Sequence, residues 1–207
     1  MLVANFRERY LEGREEFYEH KKLLFKDSLQ NTLLVEEYSS GLMEVKKVSD
    51  NLVEVSSVSG YDEEYFDGGM PLEGELEGSN NFRYYIIGDN NSMQEIASDR
   101  THPETEFVKL DNSYISGDFR LYKGDELGWQ KLSVYPAFFL QRMRNEILAV
   151  YGISFENPAD REYFERFKWY TPRFNSESEI QDALSEIDKH NLAFLANAIN
   201  AQGPVSL

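Results

Sequence analysis

Charged, amide and aromatic side chains suited to ligand chemistry are concentrated in the last third of the chain. Arg144, Asn145 and Glu146 are consecutive, so on a helix they spread over more than half a turn and cannot all face the core. One interpretation places Arg144 or Glu146 against a polar ligand. The other is structural: Arg144 or Asn145 holds a neighbouring loop through its backbone. Glu146 then pairs with Arg166 or Arg173, since buried polar groups at helix–loop junctions are usually satisfied in this way.

The aromatic residues that follow offer a second kind of site. Tyr151, Trp169 and Tyr170 could form an exposed platform on which a sugar ring or a peptide stacks. In a small helical domain with few other large side chains, however, such rings more often fill the core. The candidate ligand-binding residues from both groups are Arg144, Glu146, Tyr151, Trp169, Tyr170 and Arg173.

An acidic run earlier in the chain is a third candidate. Glu73, Glu75 and Glu77 alternate along the sequence, which places them on one face of a strand. With the acids of residues 62–67 they could hold calcium, although the spacing of an EF-hand is missing. A solvated face whose like charges discourage edge pairing explains the run without a ligand. His20, His102 and His190 lack zinc-site spacing, so no metal or cofactor is predicted.

Composition narrows the classes of function. The chain has 207 residues, no cysteine, and 37 acidic against 21 basic residues, which gives a net charge of −16. This excess disfavours nucleic acid, whose phosphates require clustered Lys and Arg, and it disfavours docking on anionic lipid. Disulfides and thiolate nucleophiles are excluded. The G-x-S-x-G, phosphate-loop and dinucleotide motifs are missing, so no catalytic residue is assigned and a non-catalytic role is favoured.

The first part of the chain predicts mainly antiparallel β structure. Residues 6–25 predict a leading helix that gives way to a strand near Leu23. From Thr32 the side chains alternate with a period of two, and the runs that flank Ser49-Asp50-Asn51 form a hairpin signal. Further strands are predicted at residues 82–87, 93–97, 107–110, 114–115 and 119–122. This spacing indicates a meander: a curved sheet, a small barrel or a sandwich.

From Pro136 onward the apolar period changes to that of a helix, and three helices are predicted. The first begins near Pro136 and ends at Gly152. Its apolar stripe comprises Leu140, Met143, Ile147, Val150 and Tyr151. The second opens at Asn157-Pro158, and Ser178 with Gln181 forms a capping box for the third. We therefore predict an α+β protein with a mainly β N-terminal domain, residues 1–132, and a helical C-terminal domain, residues 133–207.

The helical part also carries a family resemblance. Arg144-Asn-Glu-Ile147 is followed by Leu148-Ala-Val-Tyr-Gly152, Phe155, Tyr163-Phe164, Trp169-Tyr170 and Leu184-Ser-Glu-Ile187. This order and spacing resemble the bacterial YARHG domain. The resemblance covers the chain from about Leu140 onward and does not extend to the β segment. Leu148, Val150 and Tyr151 replace the Tyr, Arg and His of the family's pentapeptide, so any chemistry of that Arg or His is missing here.

The resemblance implies a protein of the bacterial cell envelope or exterior, because the family occurs mostly in proteins predicted to be exported. We expect a non-catalytic module that binds a protein, a peptide or a glycan. Two alternatives stay open: a hydrolase acting on an envelope polymer at the domain junction, and an acidic inhibitor or immunity-type protein that masks a basic partner.

The expected location places a condition on the start of the chain. The first residues do not resemble a signal peptide, so an envelope or extracellular location requires a signal that has been removed. The alternative location is the cytoplasm. No run approaches the ~20 apolar residues of a membrane helix.

Overall fold

The computed structural model describes residues 4–10, 18–26, 32–38, 43–49, 51–59, 76–87 and 93–202, and it confirms the α+β class. The strands are β1 (Ala4–Tyr10), β2 (Tyr18–Lys26), β3 (Thr32–Tyr38), β4 (Met43–Lys47), β5 (Leu52–Ser59), β6 (Leu76–Glu77), β7 (Ser79–Ile87), β8 (Met93–Glu95), β9 (Ser116–Tyr122) and β10 (Trp129–Val134). The helices are α1 (Glu104–Phe107), α2 (Asn112–Ile115), α3 (Ala137–Val150), α4 (Pro158–Glu165) and α5 (Glu186–Ala201).

The chain divides into two compact units. The first comprises Met1–Ser57 and Arg83–Ile96, and the second comprises Val58–Phe82 and Ala97–Leu207. The predicted division into residues 1–132 and 133–207 stays a prediction.

The predicted leading helix is wrong for the described residues. β1 and β2 pair antiparallel, with Phe6 opposite Lys22, and β2 pairs in turn with β3. A spacing of four residues, such as that between Phe6 and Tyr10, puts two side chains on one face of a helix and equally on one face of a strand. The pattern therefore could not distinguish the two, and the aromatic and branched residues of the segment favour the strand.

The predicted hairpin around Asp50 is confirmed on either side of that residue. β4 and β5 pair antiparallel, with Val45 opposite Val55, in a sheet of order β4-β5-β7-β8. Val53 and Val55 are buried in the first unit. Between them in sequence, Glu54 is also buried, and its carboxylate accepts a hydrogen bond of 2.6 Å from the Tyr84 hydroxyl. The alternation of β5 therefore does not leave its acidic residue in water.

The second unit contains a sheet of order β10-β9-β6. Strand β9 was predicted, whereas β10 was not. The strands predicted at residues 107–110 and 114–115 are wrong, because α1 ends at Phe107 and α2 covers Asn112–Ile115. The reason at α2 is a local cap: the Asp111 carboxylate accepts the Ser113 N–H at 2.8 Å, which starts a helical turn.

The helices enclose the core of the second unit. Helix α3 packs against α4 and α5. Its predicted stripe is confirmed at Leu140, Met143 and Ile147, each fully buried, whereas Val150 is exposed. Gly152 ends the helix with a φ of +84°. A Cβ atom there would lie 2.9 Å from the Thr171 carbonyl oxygen, so glycine is required for both conformation and space.

The start of α4 is confirmed and the start of the third long helix is corrected. The Asn157 side chain accepts the Ala159 N–H, and Pro158 follows at the first turn. The capping box lies at Ser176 and Glu179, not at Ser178 and Gln181, and it begins only a 3₁₀ turn over Glu177–Glu179. Helix α5 begins later, where the Ser185 hydroxyl accepts the Asp188 N–H at 3.0 Å.

Candidate functional site

Glu146, the most deeply buried of the predicted site residues, binds backbone rather than an arginine. It lies on α3 with 1% of its surface exposed. One carboxylate oxygen accepts the Thr101 N–H at 2.6 Å and the other accepts the His102 N–H at 3.1 Å. Hydrogen bonds from backbone amides stabilise a buried carboxylate. Glu146 therefore holds the segment that precedes α1, and neither Arg166 nor Arg173 is its partner in the described structure.

The neighbours of Glu146 on α3 point elsewhere. Asn145 is buried and accepts a hydrogen bond of 2.8 Å from the Gln141 side chain. Arg144 forms an ion pair with Glu177 of the 3₁₀ turn. The three consecutive polar residues thus serve three different contacts, as their spread around the helix requires.

Asp188 of α5 is the centre of a second buried polar group. It forms an ion pair of 2.7 Å with Arg100, and both side chains are 5% exposed. Its other oxygen accepts the Tyr151 hydroxyl at 2.6 Å and the Ser185 hydroxyl at 2.8 Å. Burial alone would raise the pKa of Asp188, but the hydrogen bonds from Arg100 and Tyr151 outweigh it and hold the pKa below its ordinary value. Asp188 is therefore ionised and fully engaged inside the protein.

Asn191, one turn further along α5, is fully buried and holds the chain between α1 and α2. Its amide nitrogen donates to the carbonyls of Thr105 and Val108, each at 2.9 Å. Its oxygen accepts the Leu110 N–H at 2.8 Å. We call Glu146, Asp188 and Asn191 the helix–loop bridge, because together with Arg100 they attach residues 100–110 to α3 and α5.

His102 lies beside the bridge. Its Nδ1 is 3.4 Å from the Glu104 carboxylate, and its ring meets Phe139 edge-on. Burial by itself lowers the pKa of His102, and the charge of Arg142 lowers it further. The hydrogen bond and charge of Glu104, with the charge of Glu146, outweigh both and raise the pKa above its ordinary value.

The aromatic loop after α4 is partly core. The ring of Phe164 is fully buried and stacks on Phe155 with centroids 4.9 Å apart. Tyr170 is 8% exposed, and its hydroxyl donates to the Ile153 carbonyl at 2.8 Å. The Arg173 N–H donates to the Gly152 carbonyl at 2.8 Å. Tyr170 therefore fastens the loop to the end of α3.

A different set of rings and cations lies nearer the surface. The guanidinium carbons of Arg142 and Arg166 each lie 4.4 Å from the centroid of the Tyr163 ring. Phe167 and Trp169 stack with centroids 5.2 Å apart. The three rings are half-buried and the two arginines are exposed. We call Arg142, Tyr163, Arg166, Phe167 and Trp169 the arginine–aromatic surface.

The structure brings few of the six predicted residues together. Tyr151 meets the Asp188 group and Glu146 meets the segment before α1. Tyr170 and Trp169 are neighbours whose rings are 6.4 Å apart and nearly perpendicular, but they face core and surface respectively. Arg173 is exposed on the same loop.

Sequence reasoning missed the cations of the surface and the charged partners of the bridge. Arg166 gave a usable signal, because it follows Tyr163 by three residues and Glu162 by four, the spacings at which helical side chains meet. Arg142 gave none, since its ring partner Tyr163 lies on a different helix. Arg100 and Asp188 gave none, because they are 88 positions apart in sequence.

The described residues contain no group of three or more His, Cys, Asp or Glu side chains that could hold a metal ion. The calcium alternative for the acidic run lies outside them, except for Glu77, which occupies β6 opposite Arg120. No helix in the described ranges is long and apolar enough to cross a membrane.

A compact helical module follows β9. It consists of helices with capped ends and of the aromatic loop that returns to Gly152. Residues 121–200 match the family model of the YARHG domain, so the chain carries a YARHG domain in its C-terminal part. The match begins in β9 and therefore takes in β10. YARHG domains are usually found in secreted proteins. No curated protein and no solved structure matches the chain.

Proposed function

We propose that this protein is a non-catalytic binding module of the bacterial cell envelope or exterior, and that its ligand contacts the arginine–aromatic surface. The YARHG domain supports the location. A ligand of this surface would be a protein, a peptide or a glycan.

One observation carries the assignment. Arg142 and Arg166 both lie over Tyr163, and neither forms an ion pair with a carboxylate among the residues that the structure describes. Acidic residues outnumber basic ones by 37 to 21 in this chain, so carboxylates are plentiful. Arginine is favoured wherever a planar cation must both stack on a ring and bind an anion. A ligand that supplies the anion would complete both guanidinium groups.

The buried polar residues fit a structural role rather than a catalytic one. Glu146 accepts two backbone amides, Asp188 accepts three side-chain donors, and Asn191 uses both its nitrogen and its oxygen. A catalytic acid or base must exchange its proton with a reacting group. These side chains instead have their bonding capacity occupied by the protein, which fits a structural role.

The predicted site residues are assigned accordingly. Trp169 belongs to the proposed surface, and Arg173, exposed on the same loop, stays a separate candidate ligand contact. Glu146, Tyr151 and Tyr170 are proposed to position the surrounding elements, since each has an internal partner. Arg144 is proposed to position the 3₁₀ turn through Glu177.

A thermal-shift screen against peptides and oligosaccharides tests this function, because a ligand that binds only the native state raises the melting temperature. The screen compares wild type with the double variant Arg142→Gln/Arg166→Gln. Lys131→Gln is the matched control, since it removes a positive charge from an exposed position on β10. A ligand of the surface stabilises wild type and the control but not the double variant. A ligand that stabilises all three equally contradicts the assignment.

A further inference from the structure

Arg166 does not form an ion pair with Glu162, although the spacing of the two residues would allow one. Glu162 of α4 precedes Arg166 by four residues, and Arg166 caps the end of that helix. This order favours a helical ion pair, yet no such pair forms among the described residues. The Arg166 Nε instead donates to the Tyr163 carbonyl at 3.1 Å. Its guanidinium lies over the rings of Tyr163 and Phe167, 4.4 and 5.9 Å from the centroids. The terminal nitrogens of Arg166 therefore have no protein acceptor in the described structure.

Arg142 also lacks an ion pair among the described residues, but for a different reason. Glu146 follows it by four residues on α3, but both oxygens of that carboxylate are taken by the backbone amides of Thr101 and His102. Arg142 has no hydrogen-bond acceptor among the described side chains and backbone groups, and its guanidinium lies over Tyr163. Two cations thus converge on one ring, and neither Glu162 nor Glu146 pairs with them among the described residues.

The two guanidinium groups and the net charge of the chain favour a ligand with few, well-separated negative charges. A guanidinium presents paired N–H donors that match the two oxygens of a carboxylate or a phosphate. The whole chain carries a net charge of −16, which repels a ligand with a dense row of negative charges. A ligand with isolated anionic groups, separated by neutral parts, meets the two arginines without that penalty.

The rings of Phe167 and Trp169 favour a particular kind of molecule as the carrier of the anion. Phe167 and Trp169 stack on each other and stay half-buried, so part of their apolar surface adjoins the cations. A pyranose ring has a flat C–H face that packs on such rings, and its substituents project sideways. We infer that the arginine–aromatic surface binds a sugar that carries a carboxylate or a phosphate, an inference that rests on the proposed function.

The test is calorimetric titration of the full chain with matched probes. The first is a tetrasaccharide of alternating glucuronic acid and N-acetylglucosamine, the second is its carboxyl-reduced neutral counterpart, and the third is an octaglutamate peptide. Glucose 1-phosphate in a fourth titration distinguishes a phosphate from a carboxylate source. We expect an acidic sugar to bind at least about tenfold more tightly than the neutral tetrasaccharide, as expected for charge-assisted hydrogen bonds.

Variants locate the binding and separate the two proposals. Arg142→Gln and Arg166→Gln should each weaken binding of the acidic sugar about tenfold, whereas Lys131→Gln should not. The melting temperature of each free variant shows that it is folded. Equal binding of acidic and neutral tetrasaccharides, or no binding of either acidic sugar, overturns the inference. Arginine-dependent binding of octaglutamate alone also overturns it but leaves the proposed surface standing. Binding that ignores both arginines contradicts the surface as well.

Discussion

Two regions of the second unit use similar side chains in opposite ways. In the helix–loop bridge, Glu146, Asp188 and Asn191 are buried and each accepts or donates several hydrogen bonds within the protein. In the arginine–aromatic surface, Arg142 and Arg166 lie on rings and have no carboxylate partner in the described residues. Charged side chains close to helices are thus paired inside the protein in one region, and in the other they stack on a ring at the surface, where we propose that an external partner binds.

The difference shows why residue type alone did not identify a site. A buried polar group must be satisfied, because an unpaired one costs about 1–3 kcal/mol. An exposed cation faces no such requirement, since water satisfies it. Full internal pairing therefore indicates a structural role, whereas an exposed cation that lies over a ring stays free to bind an anion, which is the role that we propose for Arg142 and Arg166. Substitutions in each region test this difference.

The largest effect is expected from Asp188→Ala in the bridge. The change leaves the buried guanidinium of Arg100 without its carboxylate, so the free energy of unfolding should fall by about 3–5 kcal/mol. Urea denaturation followed by circular dichroism measures it. Asp182→Ala, at an exposed position before α5, is the control and should change little. A loss for Asp188→Ala as small as that of the control would contradict the role of the ion pair.

The next largest loss of stability is expected from Asn191→Ala. It leaves the Leu110 N–H and the Val108 carbonyl without their partner, whereas the Thr105 carbonyl keeps its hydrogen bond from Arg100. The free energy of unfolding should fall by about 2–3 kcal/mol. Asn197→Ala, exposed on the same helix, is the matched control for helix propensity. Hydrogen exchange should also accelerate at the Leu110 amide. If that amide stays as protected as in wild type, Asn191 does not hold the segment.

A smaller effect is expected from pH at the edge of the bridge. The pKa of His102 is raised in the folded protein, so protonation of this histidine stabilises the fold. That contribution is fully present below the ordinary pKa of histidine, about 6.5, and is lost as the pH rises through the folded pKa.

The free energy of unfolding of wild type and of His102→Gln, measured from about pH 5 to about pH 9, tests this. The stability advantage of wild type should shrink as the pH rises, because the charge that binds Glu104 disappears. His20 and His190 are common to both proteins and cancel in the difference. If the stability advantage of wild type over His102→Gln instead grows with pH, burial, which lowers the pKa of His102, outweighs Glu104 and Glu146, which raise it.

The smallest effect on stability is expected in the arginine–aromatic surface. Arg166→Gln removes an exposed cation from the Tyr163 ring, so the free energy of unfolding should fall by less than about 1 kcal/mol. Lys131→Gln gives the reference for losing an exposed charge. A loss of several kcal/mol for Arg166→Gln, measured by the same urea denaturation, would place Arg166 in the structural class and remove the contrast between the regions.

Local signals in the sequence predicted local structure well. Asn157 followed by proline gave the start of α4, and Gly152 gave the end of α3, because each signal acts through neighbouring backbone. The third helix was placed too early since two capping groups compete: Ser176 with Glu179 starts only a 3₁₀ turn, and Ser185 starts α5. Sequence alone does not state which cap the rest of the fold supports.

The candidate site was less predictable because its contacts join distant parts of the chain. The carboxylate of Glu146 binds amides 44 and 45 positions away, and no spacing rule anticipates such a partner. The strand predicted at residues 114–115 likewise falls in the short helix α2, and α1 was not predicted, since four-residue elements leave no period to detect. Trp169 and Tyr170 show most clearly what sequence alone does not predict. They are adjacent and were both proposed as ligand-binding rings, but Tyr170 faces the core and Trp169 faces the surface.

We propose that the arginine–aromatic surface binds a ligand while the helix–loop bridge only supports the fold. The most direct test is an amide chemical-shift titration of the full chain with the glucuronic acid tetrasaccharide. We expect shifts concentrated at residues 142 and 163–169, with the amides of Thr101, His102 and Leu110 unchanged, and loss of these shifts in Arg142→Gln/Arg166→Gln. Shifts centred on the bridge, or shifts that persist in the double variant, would contradict it.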